Sequence, residues 1–179
     1  MAGLYTWVLE EGIGPCRLVM GCDSAGSGLV LLYPLHLRDH LPTTLFPVAV
    51  ILHSPSIDMT AAQTQYTPRI KWEFTFSYSQ IVPFNNDTIR PKGLPIDTPE
   101  ISALLWEDVS RLLPQLVYWS SAEVLASDAE MWIERSRKAG VKMTEFKMSG
   151  QLHTFSLRWP FTGKNLQDEC DVLFVFKHF

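Results

Sequence analysis

Three side chains in this 179-residue chain have the chemistry of a hydroxyl nucleophile, an orienting carboxylate and a general base. The candidate nucleophile is Ser24, in the run Gly21-Cys22-Asp23-Ser24-Ala25-Gly26-Ser27-Gly28. That run lies between the apolar segments Arg17-Leu18-Val19-Met20 and Leu29-Val30-Leu31-Leu32. A buried strand, a tight turn of small residues and a helix form the setting of a nucleophile elbow, where the serine sits at a strained backbone position. The helix that follows brings its N-terminus, and the backbone N–H of Ala25, toward a developing oxyanion. A phosphate-cradling loop is the competing reading of a Gly-rich turn before a helix. A Walker loop, however, needs Lys after its last Gly, and Leu29 stands there. The plain reading is a Gly/Ser turn between two core elements.

Two later segments supply the partners. In Leu116-Val117-Tyr118-Trp119-Ser120-Ser121-Ala122-Glu123-Val124-Leu125 the apolar part reads as a buried strand, with Glu123 just past its C-terminal end. In Met148-Ser149-Gly150-Gln151-Leu152-His153-Thr154-Phe155, His153 follows a short strand-like run over 142–147. Catalytic groups of open α/β sheets sit outside the carboxyl ends of strands, where all three candidates fall. Asp128 is the rival acid, although a carboxylate in the first turn after Ser127 also suits a helix dipole. Of the remaining polar candidates, His53 precedes Ser54-Pro55 at a strand end near the site. Asp58 suits a turn cap, and His36, His40 and His178 have no partner motif.

The elements that must hold these groups alternate between strand and helix, which implies a mostly parallel sheet covered by helices on both faces. The spacing predicts a helix over 4–10, a strand Cys16-Arg17-Leu18-Val19-Met20-Gly21, and a helix from Ser24 to about Arg38 that Pro34 kinks or ends. Further strands are expected over 46–52, continuously apolar as buried parallel strands are, and over 115–120 and 142–147. Between the last two lies a helix with Ser127 and Glu130 as a capping-box pair and Gly140 as its stop. A final helix is expected over about 166–176. Trp72, Phe74, Phe76 and Tyr78 alternate with polar residues at a strand period. They read as an amphipathic edge or as an aromatic wall of a binding pocket. Pro83, Asn85, Asn86, Pro91, Gly93, Pro95 and Pro99 mark a long loop. The whole of 1–179 reads as one domain.

Composition narrows the partners. A net charge of −4 and the lack of any Lys/Arg cluster argue against nucleic acid. No apolar run approaches the roughly 18 residues of a membrane span. The N-terminus lacks a basic region followed by an apolar core, so no secretory signal is read, and the Asn86-Asp87-Thr88 sequon is incidental. Three cysteines, Cys16, Cys22 and Cys170, have no metal-ligand spacing and fit reduced thiols in the cytoplasm. The chemistry requires neither metal nor cofactor.

The chain resembles the hormone-sensitive-lipase-like branch of the α/β-hydrolases. Asp23-Ser24-Ala25-Gly26 is similar to the centre of that family's elbow, and Ser54-Pro55-Ser56-Ile57-Asp58 to the end of its next strand. Counting back from Ala139-Gly140 puts Glu123 on the family's acid, and Gly150-Gln151-Leu152-His153-Thr154-Phe155 fits its histidine motif. Cys22, Ser27 and Glu123 depart from the family's more usual Gly, Gly and Asp. The resemblance implies a Ser24–Glu123–His153 triad, an acyl-enzyme on Ser24, the Ala25 N–H as oxyanion donor, and small carboxylic esters as substrates. The family's His-Gly-Gly-Gly-like oxyanion loop and early strands have no counterpart among the 23 residues before Ser24. The expected architecture is therefore a partial α/β-hydrolase fold corresponding to the family's C-terminal portion. In it the Cys16-Gly21 strand becomes an exposed edge open to self-association. The alternative implied by the same absence is an inactive, truncated hydrolase remnant that acts as a binding partner or has no function.

Overall fold

The computed structural model describes residues 2–40, 46–71, 78–89 and 93–157. Their framework is a four-stranded, wholly parallel sheet in the order β1-β2-β3-β4: β1 Val19–Asp23, β2 Ala49–His53, β3 Gln115–Ser120 and β4 Met143–Met148. The strands pair in chain order, so each carboxyl end lies beside the next, with Asp23 opposite His53 and His53 opposite Tyr118. Parallel strands need crossovers. Two are helices, α2 Ser24–His40 after β1 and α4 Ala126–Lys138 after β3.

Period-two alternation divides the strands into two faces. Val50, Leu52, Val117 and Trp119 face Val30, Leu31 and Leu35 of α2 and Ala129, Trp132 and Ile133 of α4, forming the main core. Leu116 and Tyr118 point the other way and pack with Ile51, Phe146, Met148 and Phe155. All six residues of β3 are buried, as expected for a central parallel strand. Ahead of the sheet, α1 Ala2–Glu10 packs through the edge-to-face ring pair Tyr5–Tyr33 onto α2.

Several local expectations need correction. The first strand begins only at Val19, because Pro15–Arg17 forms a 3-10 turn closed by the Leu18 N–H on the Pro15 carbonyl. Pro34 does not end α2, which runs on to His40. The Ser127–Glu130 capping box does not form: Leu125 occupies the N-cap, and the Arg69 guanidinium draws both side chains outward, donating to Ser127 Oγ and to both Glu130 oxygens. Gly140 does stop α4. It takes φ +80°, and the pair of bonds from Gly140 N to Arg137 O and from Val141 N to Ser136 O is a Schellman closure. Part of the expected loop after residue 78 is a helix, α3 Tyr78–Phe84, continued by a π-turn over Asn85–Ile89. Tyr78 therefore starts a helix, while Trp72, Phe74, Phe76 and the expected 166–176 helix lie outside the described residues. Among the described residues no helix is long and apolar enough to cross a membrane.

Trp132 ties α4 to the sheet: it is fully buried, and its indole N–H donates to Gln115 Oε1 at 2.7 Å. Trp132→Ala is expected to lower unfolding stability by about 3–5 kcal/mol, through lost burial and a residual cavity. The midpoint of a urea titration measures it; a change below about 1 kcal/mol would mean that the α4 interface contributes little.

Candidate active site

Ser24 joins the carboxyl end of β1 to the first turn of α2 with φ +49°, a left-handed backbone that L-residues adopt at a cost. The turn closes because its neighbours are small. A Cβ on Gly26 would lie 2.1 Å from Cys22 Sγ, so the thiol occupies space that the glycine leaves empty. This is how the chain accommodates Cys22 where the resemblance anticipates Gly. Gly28 meets the Ser56 carbonyl, which a Cβ would approach to 3.1 Å, and buried Ser27 donates to the Cys22 carbonyl at 3.2 Å. The Ser56 N–H in turn bonds the Ser24 carbonyl at 3.0 Å, fastening the elbow to the segment after β2.

The loops after β3 and β4 bring the other two candidates to the same point. His153 Nε2 lies 2.9 Å from Ser24 Oγ, and His153 Nδ1 lies 3.0 Å from Glu123 Oε2. With Nδ1–H donating to the carboxylate, Nε2 is left to accept the serine hydroxyl. His153 and Glu123 are both buried. The second Glu123 oxygen accepts the Ser120 N–H at 2.9 Å. Ser120 Oγ donates to the Gln151 carbonyl at 2.7 Å and accepts the Gln151 N–H, so one hydroxyl at the end of β3 links the acid's turn to the histidine's loop. Beyond the histidine, the Thr154 N–H donates to Ser54 Oγ at 2.9 Å. Ser54, Ser56 and Ser120 have no chemical signature of their own in the sequence; their signal is position alone, as small hydroxyl residues just after β2 and at the end of β3.

Ala25 is the second residue of α2, where backbone N–H groups have no intrahelical carbonyl, and it lines the cavity above Ser24. That cavity, about 520 Å³, is walled by Ile81 and Phe84 of α3, by Leu125 and by Asn85, and floored by Ser24 and His153. Among the described residues, no group of three or more His, Cys, Asp or Glu side chains is arranged to hold a metal ion.

The structure gives the rival groups other partners. Asp128 Oδ2 accepts the N–H groups of Ile57 and Asp58 at 2.8 and 2.9 Å, and Oδ1 has no partner among the described residues. Burial pushes this carboxyl up to about 7. Its two backbone hydrogen bonds oppose the shift, and the charges of Asp58 and Glu123 add to it. Asp58 caps a turn, accepting from Thr60 and Ala62. His53 Nδ1 meets Ser156 Oγ at 2.7 Å, and its ring stacks on Tyr118; burial lowers its pKa, with the Asp23 charge opposing. His178 and Cys170 lie outside the described residues, and nothing is described of the His40 side chain.

The profile of the alpha/beta hydrolase fold family matches residues 1–157. An esterase of Acinetobacter venetianus is 29% identical over 159 residues, 86% of this chain and 50% of its own. An acetyl-hydrolase of Streptomyces hygroscopicus is 29% identical over 142 residues, 78% of this chain and 45% of its own. The crystal structure of an esterase from the bacterial hormone-sensitive lipase family superposes with a TM-score of 0.86 at 26% identity, covering 97% of this chain and 57% of that one. The chain thus spans about half the length of the curated relatives it matches.

The raised Asp128 carboxyl has a consequence for stability. Native Asp128 holds a proton that the unfolded chain releases near 3.8, so its stabilising contribution is full below that pH and is lost as pH rises through about 7. Asp128→Asn keeps an acceptor for the Ile57 and Asp58 N–H groups but cannot ionise. Its unfolding free energy is expected to lack about one proton's worth of the wild-type decline between pH 4 and 7. Urea titrations across that range measure it; identical slopes would assign the titration to another group.

Proposed function

Because the chain belongs to the alpha/beta hydrolase fold family, in its hormone-sensitive-lipase-like branch, we propose that it hydrolyses carboxylic esters through Ser24, His153 and Glu123. The observation that carries this reading is the continuous contact from Glu123 through His153 to Ser24, at 3.0 and 2.9 Å, at the floor of a mostly apolar cavity. In the first step Ser24 Oγ bonds to the ester carbonyl carbon while His153 Nε2 takes the hydroxyl proton. The imidazolium returns that proton to the departing alkoxide as the ester C–O bond breaks, leaving an acyl group on Ser24. Water then attacks the acyl carbon, His153 takes its proton, and the proton passes to Ser24 Oγ as the acid departs. Glu123 holds the imidazole in the tautomer that leaves Nε2 free to accept, and offsets the imidazolium charge. The Ala25 N–H is one donor to the oxyanion.

The activities of the relatives, esterase and acetyl-hydrolase, support esters of short acyl groups as the substrate class. Cys16 and Cys22 are free thiols, which suits the cytoplasm. A fluorophosphonate probe on the purified chain tests the central claim. Labelling is expected at Ser24 and absent from Ser24→Ala, and Glu123→Gln is expected to lower kcat on a p-nitrophenyl acyl ester by about 10³–10⁴-fold. Asp128→Asn should cost less than Glu123→Gln, since Asp128 does not touch the imidazole. Wild-type turnover by Ser24→Ala would remove the mechanism. A folded chain that takes no label would instead favour an inactive, hydrolase-shaped binding protein.

The same reading extends to self-association through β1. It is an edge strand of the described sheet, with Val19 41% exposed and no proline within it. Such an edge offers backbone donors and acceptors to a second chain. Sedimentation at micromolar concentration is expected to show dimers or larger species, reduced by Val19→Lys. A single monomeric species would mean that the edge is covered.

A further inference from the structure

Three non-glycine residues with left-handed backbones meet around the candidate triad: Ser24 at φ +49°, Ser54 at φ +46° and Thr154 at φ +56°. Strained conformations of this kind persist where surrounding structure over-determines them, and they gather at functional sites. Ser24 follows β1, Ser54 follows β2, and Thr154 follows His153. Ser54 and Thr154 are bonded to each other through the Thr154 N–H and Ser54 Oγ at 2.9 Å.

The geometry points to Ser54 as a positioning residue for His153, its hydroxyl setting the histidine loop so that the imidazole stands over Ser24. This inference rests on the proposed hydrolase reading for its effect on turnover. The loop is held on both sides of His153. On one side, Ser120 Oγ holds the N–H and the carbonyl of Gln151. On the other, Ser54 Oγ holds the Thr154 N–H, and Thr154 Oγ1 closes back on the His153 carbonyl at 2.7 Å. Ser54 is itself anchored, since its N–H donates to the Tyr118 carbonyl at 2.7 Å. Tyr118 belongs to β3, the strand that leads to Ser120 and Glu123, so acid and base are both referenced to one strand. Glycine would fit φ +46° with less strain. Serine there is 1% exposed, so solvation does not explain it, whereas acceptance of the Thr154 N–H does. Without that acceptor the restraint nearest His153 on this side is lost, and the loop is held by Ser120 before the histidine and by buried Phe155 and the Ser156–His53 contact after it, with His153 between them able to shift. A displacement of about 1 Å of a reacting group is enough for a rate loss of about 10²-fold.

Two variants test this, each read in two ways. Ser54→Gly removes the hydroxyl and relieves the backbone; Ser54→Ala removes the hydroxyl and keeps the strain. Both should lower kcat on a p-nitrophenyl acyl ester by about tenfold to a hundredfold, with KM changed less than threefold and fluorophosphonate labelling slowed in parallel. Proton NMR supplies a readout independent of turnover. The His153 Nδ1 proton in its buried bond to Glu123 should give a far-downfield line in the wild type, shifted or lost in Ser54→Gly. If the wild type neither turns over nor takes label but the line still depends on Ser54, positioning stands and the hydrolase reading fails. A folded Ser54→Gly protein that keeps the line and, where the wild type is active, its kcat within twofold overturns the inference.

Discussion

A serine held at a left-handed backbone angle between a strand and a helix constrains everything built around it. With φ at +49°, the Ser24 side chain projects from the turn toward the cavity, within 2.9 Å of His153 Nε2. The turn survives only if the residues beside it yield space and its carbonyl finds a donor. Gly26 and Gly28 yield the space, to Cys22 Sγ and the Ser56 carbonyl respectively, and Ser56 N–H supplies the donor. The parallel sheet then fixes where help can come from. Its carboxyl ends stand side by side, so the segments after β2, β3 and β4 are the ones within reach of the elbow.

Those segments fasten one another through hydrogen bonds to backbone groups as well as through apolar contact, such as that of Ala61 with Val124 and Leu125. The stretch after β2 is bonded to the elbow at Ser56, to the histidine loop at Ser54, to β3 through the Tyr118 carbonyl, and to α4 through Asp128. Asp128 does this at an electrostatic cost: its carboxyl is buried, near another carboxylate, and is pushed up to about 7. Two backbone donors that would otherwise lie buried and unpaired are satisfied in return.

Much of the fold was legible because periodicity and position carry it. The run Gln115–Ser120 reads as strand β3 with the same bounds, since continuous burial leaves an unbroken apolar signature. Ser24, Glu123 and His153 were legible as candidates because each type stands at a strand end, in an order compatible with a shared site. What stayed hidden depends on partners distant in sequence. Ser127 and Glu130 have the spacing of a capping box, yet Arg69, about sixty residues earlier, takes both side chains. Local pattern could not reveal that competition. Pro34 carries a strong local penalty, and the tertiary burial of Leu31 and Leu35 around it sustains the helix. Tyr78 has strand-like neighbours but opens a helix whose Ile81 and Phe84 wall the cavity. A period read over a few residues does not report such a change of direction.

The contact between Cys22 and Gly26 bears on which substitutions this elbow tolerates. The Cys22 thiol stands where a side chain at position 26 would begin, 2.1 Å from that Cβ, so any residue but glycine there obliges the sulfur to turn aside. The two positions are therefore coupled: what a side chain at 26 costs depends on whether 22 carries a thiol. A substitution at 26 that costs little beside a glycine at 22 would displace the thiol in this chain, so mutational tolerance at one of the two positions has to be read together with the residue at the other.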